Sequence, residues 1–349
     1  MDDVQYRSNG KLMISGEYLV LAGASALAIP VVYGQTLAVN ILPEQQPAVS
    51  WLAKEHGKTW FEAEFILDHL FDKDDQSAFF QPAQQQGVHA GNDLLAHQGQ
   101  GTPLPDPDTG GHHGEHARIS LTLKKILTEA KTLHPGFLSG NYRWIVTTEL
   151  DFDRQWGLGS SSTLISNIAW WAGVDPFVLL FNTLGGSGYD VACARSLTPL
   201  IYKYKGARSM PESEQVPFQP AFSDHLFFIF TGKKQSSAKS LQGFDAGKVK
   251  STFVNRVTQI TESMHHAKSL SMFMELMFEH EHIISQAIDQ MPVQLEHYPD
   301  FDGAVKSLGA WGGDFIMAAS NRDKEYVVKY FEAKGLQVVI PFNEMVLQT

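Results

Sequence analysis

The sequence predicts an α+β protein built from two domains. Its 349 residues exceed the usual length of one domain. Hydrophobic residues make up 43% of the chain, which is enough to form packed cores. In each half, short β-branched runs bounded by turn residues occur beside longer segments with helical spacing. These observations together favour mixed strands and helices in both halves.

Composition also limits the function. The 38 Asp and Glu against 27 Lys and Arg give a net charge of −11 and argue against a general nucleic-acid-binding protein. No apolar run approaches the roughly 20 residues that cross a bilayer, and the first ten residues lack a signal-peptide pattern. Cys193 is the single cysteine, so no intrachain disulfide can form. We expect a cytoplasmic protein without nucleic-acid or membrane partners.

The first half opens with strands and continues with helices. Short apolar runs separated by glycines predict strands at 12–14, 18–21, 26–32 and 36–41, and a strand or short helix at 60–70. Helical spacing predicts a helix over 119–133, and Tyr142–Leu150 reads as a strand. Two further helices are expected at 163–173 and 176–184, and a rigid strand is expected to begin at Asp190.

Residues 81–116 differ in composition from the rest of the chain. They contain seven Gly, six Gln, five His and four Pro, and no aromatic residue. Such a segment buries too little apolar surface to offset its ordering entropy, so we predict a mobile insertion. His112, His113 and His116 have the spacing of a metal-binding face, but a flexible polar loop is the alternative, because a metal site needs fixed geometry.

The second half begins after a proline-rich junction at 205–220. We therefore expect domains at 1–206 and 221–349. An apolar strand at 225–231 precedes helices near 248–269 and 271–290. A strand over Phe315–Ala319, a helix over 324–334 and a last strand over 337–341 complete an α+β sandwich. His280, Glu281 and His282 suggest a metal site, but residues i and i+2 point to different sides of a helix and cannot bind one ion together, so we interpret them as a polar helix face.

The strongest chemical signal is a glycine-serine turn between a strand and a helix. Glycines allow close backbone approach, and a following helix N-terminus attracts anions. Hydroxyls there can bind phosphate or Mg²⁺, although a simple helix cap explains serines equally well. The turn consists of Gly157, Leu158, Gly159, Ser160, Ser161, Ser162 and Thr163.

Two further glycine turns support an anionic ligand. Residues 185–190 end in Asp190, and residues 309–314 end in Asp314. Three such turns are difficult to explain as simple loops, so we predict a polyphosphate ligand that lies between the two domains.

These motifs resemble the ordered motifs of the GHMP kinases, a superfamily named for galactokinase, homoserine kinase, mevalonate kinase and phosphomevalonate kinase. The resemblance comprises residues 9–18, the turn at 157–163, the stretch 188–192 and the turn at 309–314. The variants at 16–18, 187–192 and 312–314 are most similar to the mevalonate-pathway branch. The resemblance implies a two-domain fold, with a ribosomal S5 domain 2-like N-terminal domain and a ferredoxin-like C-terminal domain.

The resemblance also implies roles for particular residues. ATP would bind at residues 157–162, with Ser161 as the Mg²⁺ ligand. Asp190 would be the catalytic base or orienting group, and Lys11 would stabilise the transferring phosphoryl group. The implied contacts to a small anionic substrate are Glu17, Tyr18, Ser187, Gly188, Lys233, Gly312 and Gly313. The sequence leaves the oligomeric state open, and a homodimer is one alternative.

The implied reaction is transfer of the γ-phosphoryl group of ATP to mevalonate or phosphomevalonate. One alternative is the related ATP-dependent diphosphomevalonate decarboxylase. Another is a catalytically weak nucleotide-binding or metabolite-binding relative. The last is favoured by Leu179, which stands where mevalonate kinases carry a metal-binding glutamate, and by Trp311, which replaces a glycine of the third motif.

Overall fold

The computed structural model describes residues 4–71, 112–206, 209–233, 243–311 and 313–348. Within these ranges the chain forms two sheets flanked by helices, which confirms the α+β class. The strands are β1 (Val4–Ser15), β2 (Ser25–Pro43), β3 (Ala48–Glu55), β4 (Lys58–Ile66), β5 (Tyr142–Leu150), β6 (Leu200–Lys203), β7 (Glu212–Gln215), β8 (Leu226–Phe230), β9 (Ala304–Ser307), β10 (Phe315–Ala319) and β11 (Val339–Pro341). The α-helices span Leu67–Leu70, His112–Leu133, Ser160–Ala172, Pro176–Thr183, Tyr189–Arg195, Ser251–His265, Leu270–Ile288, Val293–His297, Lys324–Ala333 and Phe342–Met345.

The first sheet has seven strands in the order β4-β3-β5-β2-β6-β7, and β1 also pairs with β2. The two strands predicted at 26–32 and 36–41 are one strand, because β2 runs for 19 residues without a break. Its length lets β2 pair with β1, β5 and β6 at different points. The strand β7 lies inside the proline-rich junction at 205–220, where no strand was predicted.

The second sheet has the order β11-β8-β10-β9, and all of its pairs are antiparallel. The long helices Ser251–His265 and Leu270–Ile288 connect β8 to β9, and the helix Lys324–Ala333 connects β10 to β11. This is the ferredoxin-like arrangement. The strand β9 was not predicted, because its four residues are too few to show a period.

Two expected strands are helical turns. Residues 18–21 belong to a 3₁₀ turn at Leu19–Ala22, and Tyr18 before it has φ 58°, which no strand accommodates. The strand expected from Asp190 is the helix Tyr189–Arg195. Gly188, with φ 87°, reverses the backbone there, and its carbonyl oxygen accepts the Ala192 N–H at 3.0 Å. Asp190 therefore stands in the first turn of a helix.

The helix predicted over 119–133 begins earlier, at His112. The end of the predicted insertion is thus helical, and the His116 ring packs edge-on against Phe61. The rest of the insertion and the side chains of His112 and His113 lie outside the described residues. Within the described part of the chain, every helix is too short or too polar to cross a bilayer.

One large apolar core extends across both sheets. It contains Leu12 and Ile14 of β1 together with Phe228 of β8 and Phe273 of the helix Leu270–Ile288. The C-terminal residues also return to the first sheet, where Val346 forms a bridge with Val31. Because the two sheets share a core, residues of β1 are fixed relative to the second half of the chain.

Candidate active site

Lys11 lies at the centre of the candidate site. It sits on β1 with only 8% of its surface exposed. Its Nζ lies 3.3 Å from Asp190 Oδ1 and donates to the Gly157 carbonyl oxygen at 3.1 Å. The same amine lies 5.3 Å from the centre of the Tyr189 ring. One buried cation therefore joins the glycine-serine turn to the predicted catalytic aspartate.

The charge of Lys11 is stabilised by its neighbours. Burial alone would lower the pKa of the amine, but Tyr189, Asp190 and Asp314 outweigh it and raise the pKa above its ordinary value. Lys11 is therefore fully protonated near neutral pH. A cation held in this way can neutralise a ligand's negative charge without being displaced by titration.

The glycine-serine turn has the backbone geometry of an anion site. Gly157 and Gly159 have φ values of 67° and 91°, in the left-handed region. Gly159 precedes the helix Ser160–Ala172, and no side chain caps that helix. A Cβ on Gly157 would overlap the carboxyl group of Asp314. The first-turn N–H groups of this helix can therefore bind an anion.

Asp190 is held by a rigid second glycine turn. Gly188 has a φ of 87°, which disfavours a side chain, and a Cβ there would press on the Tyr202 hydroxyl and the Phe177 ring. The Tyr202 hydroxyl donates to the carbonyl oxygen of Ser187. These contacts fix the start of the helix Tyr189–Arg195, so the Asp190 carboxylate points at Lys11 from a defined backbone.

A cavity of about 130 Å³ opens beside Lys11, and we call it the Lys11 cavity. The predicted residues that line it are Lys11, Glu17, Tyr18, Ser187 and Asp190. Asp314 also lines it, although no role was predicted for this residue. A signal was present: Asp314 follows the third glycine turn as Asp190 follows the second.

A buried charged cluster lies under the Lys11 cavity. Lys306 Nζ donates to Glu17 Oε1 at 2.6 Å, and both side chains are fully buried. His280 Nε2 lies 3.1 Å from Glu17 Oε2 and accepts the Gly16 N–H at 2.9 Å. Burial raises the pKa of Glu17 to about 7, although Lys306 opposes the rise. Burial, together with Lys306, lowers the pKa of His280.

The cluster corrects one prediction. His280 and Glu281 are buried, at 0% and 2% exposure, whereas His282 alone faces solvent. The first two are not a polar surface, because the helix Leu270–Ile288 packs that side against the loop before Tyr18 and against β9. Glu281 accepts the backbone N–H groups of Ser307 and Val293, both at 3.2 Å.

A second cavity, of about 300 Å³, lies on the other side of the glycine-serine turn. Ser160 and Ser161 line it together with Trp51, Trp60 and Arg154, and we call it the tryptophan cavity. The Arg154 guanidinium lies 3.8 Å from the Trp60 ring centre. Trp60 Nε1 is buried without a hydrogen-bond partner among the described residues.

Some predicted residues lie elsewhere. Lys233 and Gly313 line a third cavity, of about 470 Å³, together with Trp311. The Lys233 carbonyl oxygen accepts the Asp314 N–H at 2.6 Å, so this segment still braces the third glycine turn. Gly312 lies outside the described residues. Leu179 is fully buried in the core of the first domain.

Solved structures provide the comparison with known proteins. The chain matches a Methanococcus jannaschii mevalonate kinase at a TM-score of 0.63 and 11% identity, over 100% of this chain and 99% of that one. It matches a Streptococcus pneumoniae phosphomevalonate kinase, in complex with phosphomevalonate and AMPPNP, at a TM-score of 0.62 and 16% identity, over 96% of this chain and 98% of that one. It also matches a Lactococcus lactis galactokinase complexed with galactose, at a TM-score of 0.57 and 14% identity, over 99% of this chain and 95% of that one. The chain has the GHMP kinase fold.

No protein-family model matches the sequence, and no curated protein matches it. The likeness to GHMP kinases therefore lies in the three-dimensional structure over nearly the whole chain, and it confirms the two-domain fold that the motifs predicted. Within that fold, Lys11 contacts both the glycine-serine turn and Asp190. Both partners are distant from Lys11 in the sequence, so the fold brings them together.

Proposed function

We propose that this protein is an ATP-dependent kinase of small molecules, with mevalonate or phosphomevalonate as acceptor. The observation that carries the proposal is the position of Lys11 Nζ, 3.3 Å from the Asp190 carboxylate and 3.1 Å from the Gly157 carbonyl oxygen. Phosphoryl transfer depends mainly on positioning and charge neutralisation. A buried cation between an anion-binding turn and a carboxylate supplies both.

The two cavities fit the two ends of a nucleotide. The tryptophan cavity combines aromatic and aliphatic walls with charged residues such as Arg118 and Arg154, and its volume of about 300 Å³ is at the lower end of the range of ligand pockets. Ser160 and Ser161 connect it to the glycine-serine turn. A base bound beside Trp60 would place its phosphates on the first-turn N–H groups of the helix Ser160–Ala172 and the last phosphate toward Lys11.

Each side chain then has a defined chemical task. Bound ATP supplies the phosphoryl group that is transferred. Lys11 holds positive charge beside the acceptor oxygen and stabilises negative charge there. Asp190 accepts the proton of an alcohol acceptor, or orients an acceptor that is already ionised. The buried position of Lys11 strengthens its electrostatic effect, because less water screens it.

Mg²⁺ prefers oxygen ligands, and the site offers carboxylates. Asp190 and Asp314 both line the Lys11 cavity, and Asp314 packs directly against Gly157. The Ser161 hydroxyl, proposed from the family resemblance, lies on the exposed side of the turn. Leu179 contributes nothing, since it is an apolar core residue. We propose that Mg²⁺ is held by ATP together with Asp190, Asp314 or Ser161.

The acceptor proposal is supported by the motif variants and by the structural neighbours. Neighbours with this fold include both a mevalonate kinase and a phosphomevalonate kinase. The buried leucine at position 179 keeps one rival open, because a site with fewer metal ligands suits a nucleotide-binding protein of weak catalytic power.

The test measures ADP production from Mg-ATP with mevalonate, phosphomevalonate, diphosphomevalonate, galactose and homoserine. We expect stimulation by mevalonate or phosphomevalonate, and its loss in Lys11→Met. The control Lys58→Met, at an exposed lysine of β4, should retain activity. Asp190→Asn should lower the rate at least ~10²-fold for an alcohol acceptor and much less for a phosphate acceptor.

Three other outcomes would contradict the proposal. Release of carbon dioxide coupled to ATP consumption would show a decarboxylase. ADP production stimulated by galactose or homoserine alone would show that the acceptor is neither mevalonate nor phosphomevalonate. ATP binding without stimulation by any acceptor would indicate the weak nucleotide-binding relative.

A further inference from the structure

Three potential metal ligands meet at the end of the helix Ser251–His265, outside the cavities described above. The ligand atoms of Glu262, His265 and His266 all lie within 4.8 Å of one another. Glu262 is one helical turn before the two histidines, so it shares their side of the helix. Among the described residues, these three are the one set of at least three histidine, cysteine or acidic side chains whose ligand atoms lie close enough to share a metal ion.

The end of the helix explains how consecutive histidines come together. Neighbouring residues inside a helix point in different directions. His265 is the last helical residue, and His266 follows with φ −99° and ψ 5°, outside helical geometry. The two imidazole rings therefore pack with centres 4.2 Å apart. A continuous helix would separate them.

A hydrogen bond outside the group prepares His265 to bind a metal. Its Nε2 lies 2.8 Å from the carbonyl oxygen of Pro217. A carbonyl oxygen only accepts, so Nε2 carries the hydrogen and the lone pair of the neutral ring is on Nδ1. Metal-binding histidines have this arrangement, in which one ring nitrogen binds the metal and the other donates to a carbonyl or carboxylate.

We propose that Glu262, His265 and His266 form a Zn²⁺ site at the end of the helix Ser251–His265. Two imidazoles and one carboxylate are ligands that Zn²⁺ accepts, with water as the fourth, whereas Mg²⁺ and Ca²⁺ favour all-oxygen sites. Ligands at zinc distances lie roughly 3.3 Å apart, from the usual bond lengths in a tetrahedron. Glu262 and His266 are exposed and can rotate inward, while His265 is held by Pro217.

The site is independent of the proposed kinase activity. None of its three residues lines the Lys11 cavity or the tryptophan cavity. Pro217 lies in the connection between β7 of the first sheet and β8 of the second. A metal bound to His265 would make its Nε2–H a stronger donor to the Pro217 carbonyl oxygen in that connection. Because the ligands come together only in the folded chain, the metal would bind that state preferentially and stabilise it.

The experiment is a titration of the metal-free full-length protein with Zn²⁺ by calorimetry, with Co²⁺ as a spectroscopic probe. We expect one equivalent of Zn²⁺ to bind and to raise the melting temperature. Co²⁺ should give the visible absorption of a tetrahedral site. Glu262→Gln and His266→Ala, both at exposed positions, should each weaken binding more than about tenfold, since even losing an indirect partner of a metal costs that much.

Two matched controls separate this site from other histidines. His282→Ala removes an exposed histidine of the next helix and should leave Zn²⁺ affinity unchanged. The double variant His112→Ala/His113→Ala should also bind Zn²⁺ normally. Unchanged binding in both Glu262→Gln and His266→Ala would overturn the proposal. So would loss of binding in the double variant alone, or the absence of any Zn²⁺ uptake by the wild type.

Discussion

The buried carboxyl of Glu17 leads to a quantitative prediction about stability and pH. In the folded protein the pKa of this carboxyl is raised from an ordinary value of 4.5 to about 7, and burial is the largest cause of the rise. His280 Nε2 already accepts the Gly16 N–H, so it cannot donate to Glu17 Oε2, 3.1 Å away. Two acceptors therefore face each other until a proton binds to Glu17.

The sign of the effect follows from proton binding. Between pH 4.5 and about 7 the folded protein holds this proton more tightly than the unfolded chain does. The stabilisation from Glu17 is therefore complete below its unfolded pKa and is lost as the pH rises through about 7. One pKa unit is worth ~1.4 kcal/mol, so the loss across this interval is about 3 kcal/mol.

The substitution Glu17→Gln removes the titration and preserves the shape of the side chain. We expect the free energy of unfolding of the variant, relative to wild type, to rise by about 3 kcal/mol between roughly pH 4.5 and 8. Urea unfolding followed by tryptophan fluorescence measures it, and equal m-values would validate the comparison. His280 has the opposite pH dependence, since its lowered pKa costs stability as the pH falls, but both proteins share it.

Glu62→Gln is the matched control, since Glu62 is exposed on β4. Its stability should follow wild type in parallel over the same pH interval. Parallel curves for Glu17→Gln and wild type would refute the reasoning, because they would show that Glu17 does not gain a proton on folding.

Three further predictions test the geometry of other sites. Gly157→Ala should lower the melting temperature more than Gly185→Ala. Both glycines have a left-handed φ, which costs about 1–2 kcal/mol for alanine, but only at Gly157 does a Cβ meet the Asp314 carboxyl group. Equal shifts in melting temperature would contradict the close approach of Asp314 to Gly157. Trp60→Phe should weaken binding of a non-hydrolysable ATP analogue about tenfold, because a smaller ring offers less stacking area in the tryptophan cavity and less contact to Arg154. Calorimetry measures the affinity, and unchanged binding would contradict a base bound at this ring. Burial raises the pKa of the Cys193 thiol, so we expect this thiol to react with a disulfide reagent only after the protein unfolds. The absorbance of the released product measures the reaction, and fast reaction of the native protein would contradict the burial of Cys193.

Much of the fold could be predicted from local pattern. The alternation of Tyr142–Leu150 and the apolar run Phe315–Ala319 are strands with the predicted bounds. The helix predicted over 176–184 spans Pro176–Thr183, with the Asp175 side chain as its cap. These signals are local, since a periodic side-chain pattern and a cap specify an element without distant contacts.

The errors occurred where distant contacts decide the structure. Residues 18–21 have the composition of a strand, yet Tyr18 has a positive φ and the Val20 N–H donates to the Gly16 carbonyl oxygen, so the chain turns there. The Gly16 N–H is in turn held by His280, which is distant in sequence. His280 and Glu281 were interpreted as part of a polar helix face. Burial is instead made acceptable by partners far away in sequence, such as Gly16 and Ser307.

The residue types needed for the chemistry are visible in the sequence: a lysine after a glycine, a glycine-serine turn before a helix, and an aspartate after the second glycine turn. The meeting of Lys11, Gly157 and Asp190 at one amine depends on the folded arrangement of distant segments. It also added Asp314 and Trp60 to the candidate site and gathered Glu262, His265 and His266 at a helix end. The reason is physical: motifs encode local backbone geometry, whereas distances and pKa values depend on which segments the shared core brings together.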